Sequence, residues 1–347
     1  MKTKTFVVLS LCLLLVLFLA LSCKKKAGKA DYFAVNLFPK SMSGYILIKV
    51  DKIMELKEVK DALAKEDENV SEFLEKMKAF GLDIKKDVKH IAIGMDFTQD
   101  DMEKGLVLAF DGMFKQDAIL NAIKEEGGSY ETEKYAGADL YMIKAKSDNP
   151  MAMHFMNANC ILAGAPNMVK QGMDLAKGKG ESLETHEAMM NSLKTVDNKA
   201  QLVGTIMLAD KIKQEMEKNP MSKAFAAIDA IVISGHFTDQ LSQIILSANC
   251  QQEADAKQIT TTLNGYWEGM AKPMLLSKPE LEGLGDILTI EQKGASSQLK
   301  IAITKEQAEQ LKKLQETMGG APEEPEAMEE EVIEEEMEEA PTAPEEK

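Results

Sequence analysis

Met151, Met153, His154, Met156 and Cys160 bring five soft or imidazole donors into one short stretch. Thioether and thiolate sulfurs suit Cu(I), so this is where the chain comes nearest to metal chemistry. Alternation argues against a site: in a strand, Met151 and Met153 point to one side and His154 and Met156 to the other. With 23 Met among 347 residues, methionine also serves this chain as an adaptable core filler. The expectation is packing, with soft-metal handling as an alternative, and no metal or other cofactor is assigned.

The remaining constellations are weaker. His90, His154, His186 and His236 are the only imidazoles, and no two have the spacing of a helix-borne zinc pair. No serine occupies a G-x-S-x-G elbow. The reading is of a non-enzyme without catalytic residues, and an envelope hydrolase whose site members lie far apart in sequence is the alternative. Gly178-Lys179-Gly180 lacks both the spacing and the Lys-Ser/Thr end of a phosphate loop and reads as a linker. Cys160 and Cys250 admit one disulfide in an oxidising compartment, or two buried thiols. The thiols are favoured, because a chain this long buries an adequate core without a staple. Tyr266-Trp267 admits an exposed aromatic anchor, but Trp267 shares a helical stripe with Ile259 and Leu263, which favours a packed core tryptophan.

One modification chemistry is written more clearly. Lys2 and Lys4 precede an apolar run from Phe6 to Leu21, and Ser22-Cys23 close it. Ala20-Leu21-Ser22-Cys23 resembles the box of bacterial lipoprotein signals. The resemblance implies removal of residues 1–22, acylation of Cys23 and residence outside the cytoplasm in the cell envelope. An uncleaved anchor and an ordinary secretory signal are the alternatives, the run being at the short edge of what spans a bilayer. Residues 23–30, with Lys24, Lys25, Lys26 and Lys29, then form a membrane-proximal linker.

Charge limits the partners. The whole chain carries −16; residues 320–347 hold thirteen Glu and one Lys, a net −12, and residues 1–30 hold six Lys. Removing both ends leaves −10 for residues 31–319. An acidic body repels phosphate backbones, which excludes nucleic acid as the expected partner. All 41 basic residues are Lys, so bidentate guanidinium recognition of carboxylate or phosphate is absent. The membrane, through the lipid anchor, is the expected partner, together with an envelope protein or small ligand.

The elements that must position these residues come in two sets. Ile91–Thr98 is echoed by Ile231–Thr238, and Leu106–Phe110 by Ile244–Ala248. Ile46–Val50 leads into Asp51-Lys52-Ile53 as Ile206–Ala209 leads into Asp210-Lys211-Ile212. Matched segments in one order predict a diverged duplication over 31–180 and 181–318. Asn69 and Glu72 cap a helix with Phe73, Met77 and Phe80 on one face; Ile119, Ala122 and Ile123 mark another, stopped by Gly127-Gly128. Ala256, Ile259, Leu263, Trp267 and Met270 form a third stripe, closed by Pro273, and Thr304 and Gln307 cap a last helix. Met151–Met156 and Cys160–Ala163 make a hairpin around Asn157-Ala158-Asn159. The predicted fold is α+β: each repeat a mostly antiparallel sheet with helices on one face, in ferredoxin-like βαββαβ order plus an extra strand and helix. This order is similar to that of tandem α+β lipoproteins of unknown function on bacterial envelopes, a family that implies no catalytic residues.

Residues 319–347 read as an acidic disordered tail, too polar to fold alone. Met328, Val332, Ile333 and Met337 are near helical spacing within it, which offers a docking helix as the alternative to a solvated, repulsive bristle.

Overall fold

The computed structural model describes residues 32–57, 59–60, 78, 83–99, 101–125, 127–144, 150–197, 199–220, 222–277 and 279–318. Residues through Gln307 form one compact unit, and Ala308–Lys347 form a second. The first half supplies β1 (Gly44–Lys49), α1 (Val50–Met54), α2 (Ile84–Asp87), β2 (Val88–Met95), β3 (Leu106–Gly112), α3 (Gln116–Glu125), β4 (Ser129–Tyr135), β5 (Ala138–Lys144), β6 (Met151–Asn157), β7 (Cys160–Gly164), α4 (Pro166–Leu175) and α5 (Glu187–Lys194). The second supplies β8 (Leu202–Met207), α6 (Asp210–Lys218), β9 (Ile228–Thr238), β10 (Leu241–Cys250), α7 (Glu253–Tyr266), α8 (Lys272–Leu276), β11 (Leu288–Lys293), β12 (Ser296–Thr304) and α9 (Lys305–Met318).

The α+β class and the antiparallel sheet are as the sequence indicates, but there is one sheet where two were expected. Its twelve strands run β11-β12-β10-β9-β8-β1-β2-β3-β7-β6-β5-β4. Pairing of β1 with β8 joins the halves. The ferredoxin-like arrangement is corrected as well. In a split βαβ unit the helix-linked strands run parallel with another strand between them. Here β1 leaves the sheet at Lys49 and β2 enters beside it at His90, so the two are antiparallel neighbours.

Two of the three sequence matches hold the same ladder positions. Ile91 stands opposite Phe110, and Ile231 opposite Ala248. The third slips by one residue. Ile48 faces Ile91 and Ile206 faces Ile231, which equates Ile48 with Ile206 rather than Leu47. The cause lies at the corner: β1 runs straight into α1, whereas Leu208 and Ala209 separate β8 from α6. With that equivalence, Ile46 faces its own counterpart, Gly204, and Tyr45–Thr205 and Leu47–Val203 flank the pair symmetrically. Under that equivalence the central ladder pairs like positions with like, the register of an isologous contact in two-fold dimers.

Alternation gives the sheet a Tyr45 face and an Ile46 face. On the Tyr45 face, Tyr45, Leu47, Ala109, Leu162 and Val203 are buried with Met168, Val169 and Met173 of α4 and Met189 and Leu193 of α5. On the Ile46 face, Ile91, Phe110, Met153 and Ile161 pack with Ile119 and Leu120 of α3, and Leu202 and Phe237 pack with Ile53 and Leu56. Helices thus cover both faces of the first half, not one, because its strands are apolar on both sides. Each large aliphatic or aromatic side chain so buried contributes about 1.5–3 kcal/mol.

A segment ahead of β1 runs along the Tyr45 face in the opposite direction to it. Phe33 stacks on His90 at 6.0 Å, Phe38 meets Tyr45 edge-on at 6.1 Å, and the Ser43 amide donates to Met95 O at 2.8 Å. The chain therefore enters at the Lys49 end of the sheet and reaches the Gly44 end before β1 begins.

Local signals behaved unevenly. Gly127, at φ 76°, and Gly128 donate to Lys124 O and Ile123 O and end α3 as predicted. Thr304 and Gln307 bond reciprocally, backbone to side chain, at 2.9 and 3.3 Å. The predicted hairpin is β6–β7, with the Asn159 amide donating to Asn157 Oδ1 at 2.7 Å. Apart from Lys78, which is helical, the helix expected over Asn69–Phe80 lies outside the described residues, as do Cys23, the Lys-rich linker and the tail.

Candidate functional site

The soft-donor stretch is divided by the pleat. Met153 packs against α3 on the Ile46 face, while Met151 is 40% exposed at the start of β6. His154 is buried on the Tyr45 face, where its Nδ1 lies 2.7 Å from Asp139 O, and Met156 packs against that same core. Burial is the main cause holding the His154 pKa below the ordinary imidazole value. No group of three or more His, Cys, Asp or Glu among the described residues is placed to hold a metal ion.

Cys160 and Cys250 are both free thiols, which corrects the disulfide alternative. They sit on β7 and β10, six ladder steps apart, or about 29 Å at ~4.8 Å per strand. A disulfide needs Cα atoms within about 7 Å. Burial pushes both thiols up to about 11.

Cys160 belongs instead to a polar row that sequence spacing concealed. On the Tyr45 face, Cys160, Asp111, His90 and Lys49 stand opposite one another on β7, β3, β2 and β1. His90 Nδ1 lies 2.7 Å from Asp111 Oδ2, and both side chains are about a quarter exposed. Across the seam the row continues through Gln201, whose amide exchanges two 3.1 Å bonds with the Phe237 backbone, to His236. Burial, then Lys49 and Lys199, lower the His236 pKa against an opposing pull from Asp197. A thiol nucleophile needs the imidazole beside it. Here the Asp111 carboxylate stands between them, reinforcing burial in disfavouring the thiolate. The row ties neighbouring strands through side-chain bonds; it does not assemble a nucleophile with its base. Strand alternation was the only sequence signal that could have brought these residues together.

The surface offers a different feature. Ala256 and Ile259 of α7 are buried as predicted, but Met270 is 60% exposed, which corrects its place on that stripe. Residues Trp267–Ala271 form a π turn, and the extra residue per turn rotates the next helical segment off the sheet. Pro273 does not close the helix; it lies in the first turn of α8, directly after the π turn. Trp267 is half-buried outside the main core clusters, and its buried Nε1 has no hydrogen-bond partner among the described residues. Asn264 Nδ2 bonds Ile290 O at 3.3 Å and pins α7 to β11. Tyr266, Met270, Met274 and Leu276 consequently present 40, 60, 71 and 39% of their surface to solvent. Beside them Lys272 Nζ reaches Glu268 at 3.3 Å and Asp286 at 3.9 Å. A cluster of long, adaptable apolar side chains on an exposed helix is the chemistry of a contact surface.

No family model and no curated protein matches the chain. Among solved structures it is similar to TP0453 in three crystal forms. Form I gives a TM-score of 0.42 at 11% identity over 84% of this chain and 99% of that one. Form III gives 0.43 at 12% identity over 81% and 97%, and form IV gives 0.43 at 14% identity over 82% and 97%. No helix among the described residues is long and apolar enough to cross a membrane.

Proposed function

We propose that the chain is a lipid-anchored, extracytoplasmic binding or scaffold protein of the bacterial cell envelope, built from two diverged copies of one α+β unit and without enzymatic activity. Its anchor is Cys23, and its partner is an envelope protein that meets the α7–α8 surface. The observation that carries the contact role is the exposed Tyr266–Met270–Met274 cluster, whereas His90, Asp111 and Gln201 of the polar row are engaged in structural bonds. The duplication reading is supported by equivalent ladder registers in the two halves and by the self-matching β1–β8 seam.

Affinity capture from detergent-solubilised envelope with the mature chain, in parallel with a Met270→Glu, Met274→Glu variant, tests the contact surface. A protein retained by the first and lost by the second is expected; identical captured sets would refute this surface. Labelled palmitate tests the anchor. Incorporation should vanish in Cys23→Ser, and equal labelling of both proteins would overturn lipidation at that residue.

A further inference from the structure

We propose that the Lys49 end of the sheet faces the bilayer, so that the β6–β7 turn, the β9–β10 hairpin and the loop between α5 and β8 form a membrane-apposed surface in contact with lipid headgroups. This rests on the Cys23 anchor proposed above.

Where the described chain begins decides the orientation. Tyr32 Oη donates to Leu193 O at 2.7 Å near the end of α5, and Phe33 stacks on His90. Tyr45 Oη donates to Phe33 O at 2.7 Å, and Phe38, fully buried, holds the segment along the Tyr45 face. The tether therefore departs from the Lys49 end, where exposed Lys194 and Lys199 flank Asp197 and where Asp239 lies in the β9–β10 hairpin. The Gly44 end, by contrast, carries the β2–β3 loop, where Asp101 and Glu103 stand against Lys104 and Asp96 is buried.

Lengths disfavour the inverted pose. Nine residue steps separate Cys23 from Tyr32. At ~3.5 Å each they reach about 31 Å, and about 6 Å of that is spent crossing the headgroup layer. β2, which Phe33 touches at His90, has eight residues and β9 has eleven, which at ~3.3 Å each is about 26–36 Å of strand. Placing the Gly44 end on the membrane would require the tether to run the length of the sheet with about 25 Å of chain. The acidic loop would then press on an anionic surface, while Lys194 and Lys199 would face away from it.

The full lipidated chain in vesicles containing anionic lipid and a headgroup-attached quencher tests the pose. Single fluorophores go on Ala158→Cys or Gln240→Cys at the Lys49 end, one in each half, and on Lys293→Cys at the Gly44 end. Cys160 and Cys250, with thiols pushed up to about 11, react slowly beside such exposed cysteines. Both labels at the Lys49 end should be quenched several-fold more strongly than the one at Lys293→Cys. Equal or reversed quenching on protein that floats with the vesicles would overturn the orientation and leave the anchor intact. Failure to float, with Cys23→Ser behaving identically, would overturn the anchor and the orientation together.

Discussion

Thr205 shows how a single atom can oppose the fold around it. It is fully buried on the Tyr45 face, yet its Oγ1 has no hydrogen-bond partner among the described residues. A buried hydroxyl left unpaired costs about 1–3 kcal/mol, whereas valine keeps the β-branched shape without the oxygen. Thr205→Val is expected to raise stability by about 1 kcal/mol, read as a higher urea midpoint at unchanged slope; a fall would mean that the hydroxyl is satisfied. The histidines carry a pH dependence of definite sign. Burial lowers the pKa of both His154 and His236 in the folded state, so the unfolded chain takes up protons first as pH falls. Their stabilising contribution is present above the ordinary imidazole value, about 6.5, and is lost below it. The melting temperature should drop between pH 7 and 5, and the His154→Gln, His236→Gln variant should show a shallower drop whatever its absolute stability. An unchanged slope would assign the dependence to other groups. None of this is legible from residue types. In sequence His154 is a neighbour of methionines, and only the pleat shows that it turns away from Met153 to bond a carbonyl across the strand.

At the scale of elements, short-range rules did well and a register shift defeated them. The Thr304–Gln307 box, the glycine stop after α3 and the β6–β7 turn depend on residues within five positions of one another, and each forms as its spacing predicts. The stripe on α7 failed after Leu263 because periodicity assumes a constant turn, and the π turn at Trp267 breaks that assumption. The consequence can be measured along one helix. Ile259 is fully buried and Met274 is 71% exposed. Ile259→Ala should cost about 2–4 kcal/mol and Met274→Ala no more than about 0.5 kcal/mol, by chemical denaturation. Comparable losses would mean that the α8 surface is packed, and it would no longer be available to a partner.

For the whole molecule, the sequence match was enough to suggest two units but not how they join, because ladder pairing depends on edges and not on order along the chain. The β1–β8 seam makes one sheet of both, with Tyr45 and Leu47 at 0 and 1% exposure on its core side. Separating the halves would uncover that core, so calorimetry should record one transition; two resolved transitions would mean that the halves are independently stable. The acidic tail is the opposite case. The compact body ends at Gln307, and residues 320–347 carry a net −12. Truncation after Met318 removes that charge without removing any strand of the sheet. Self-repulsion between neighbouring molecules falls with it, most noticeably at low salt, where the screening length is about 30 Å at 0.01 M against about 8 Å at physiological strength. Light scattering should therefore show more aggregation of the truncated chain at low salt and little difference at high salt, with the melting temperature unmoved. A melting temperature lower by many degrees would show the tail to be part of the packed body. If stability held and a captured partner were lost, the docking helix through Val332, Ile333 and Met337 would replace the repulsive bristle as the tail's role.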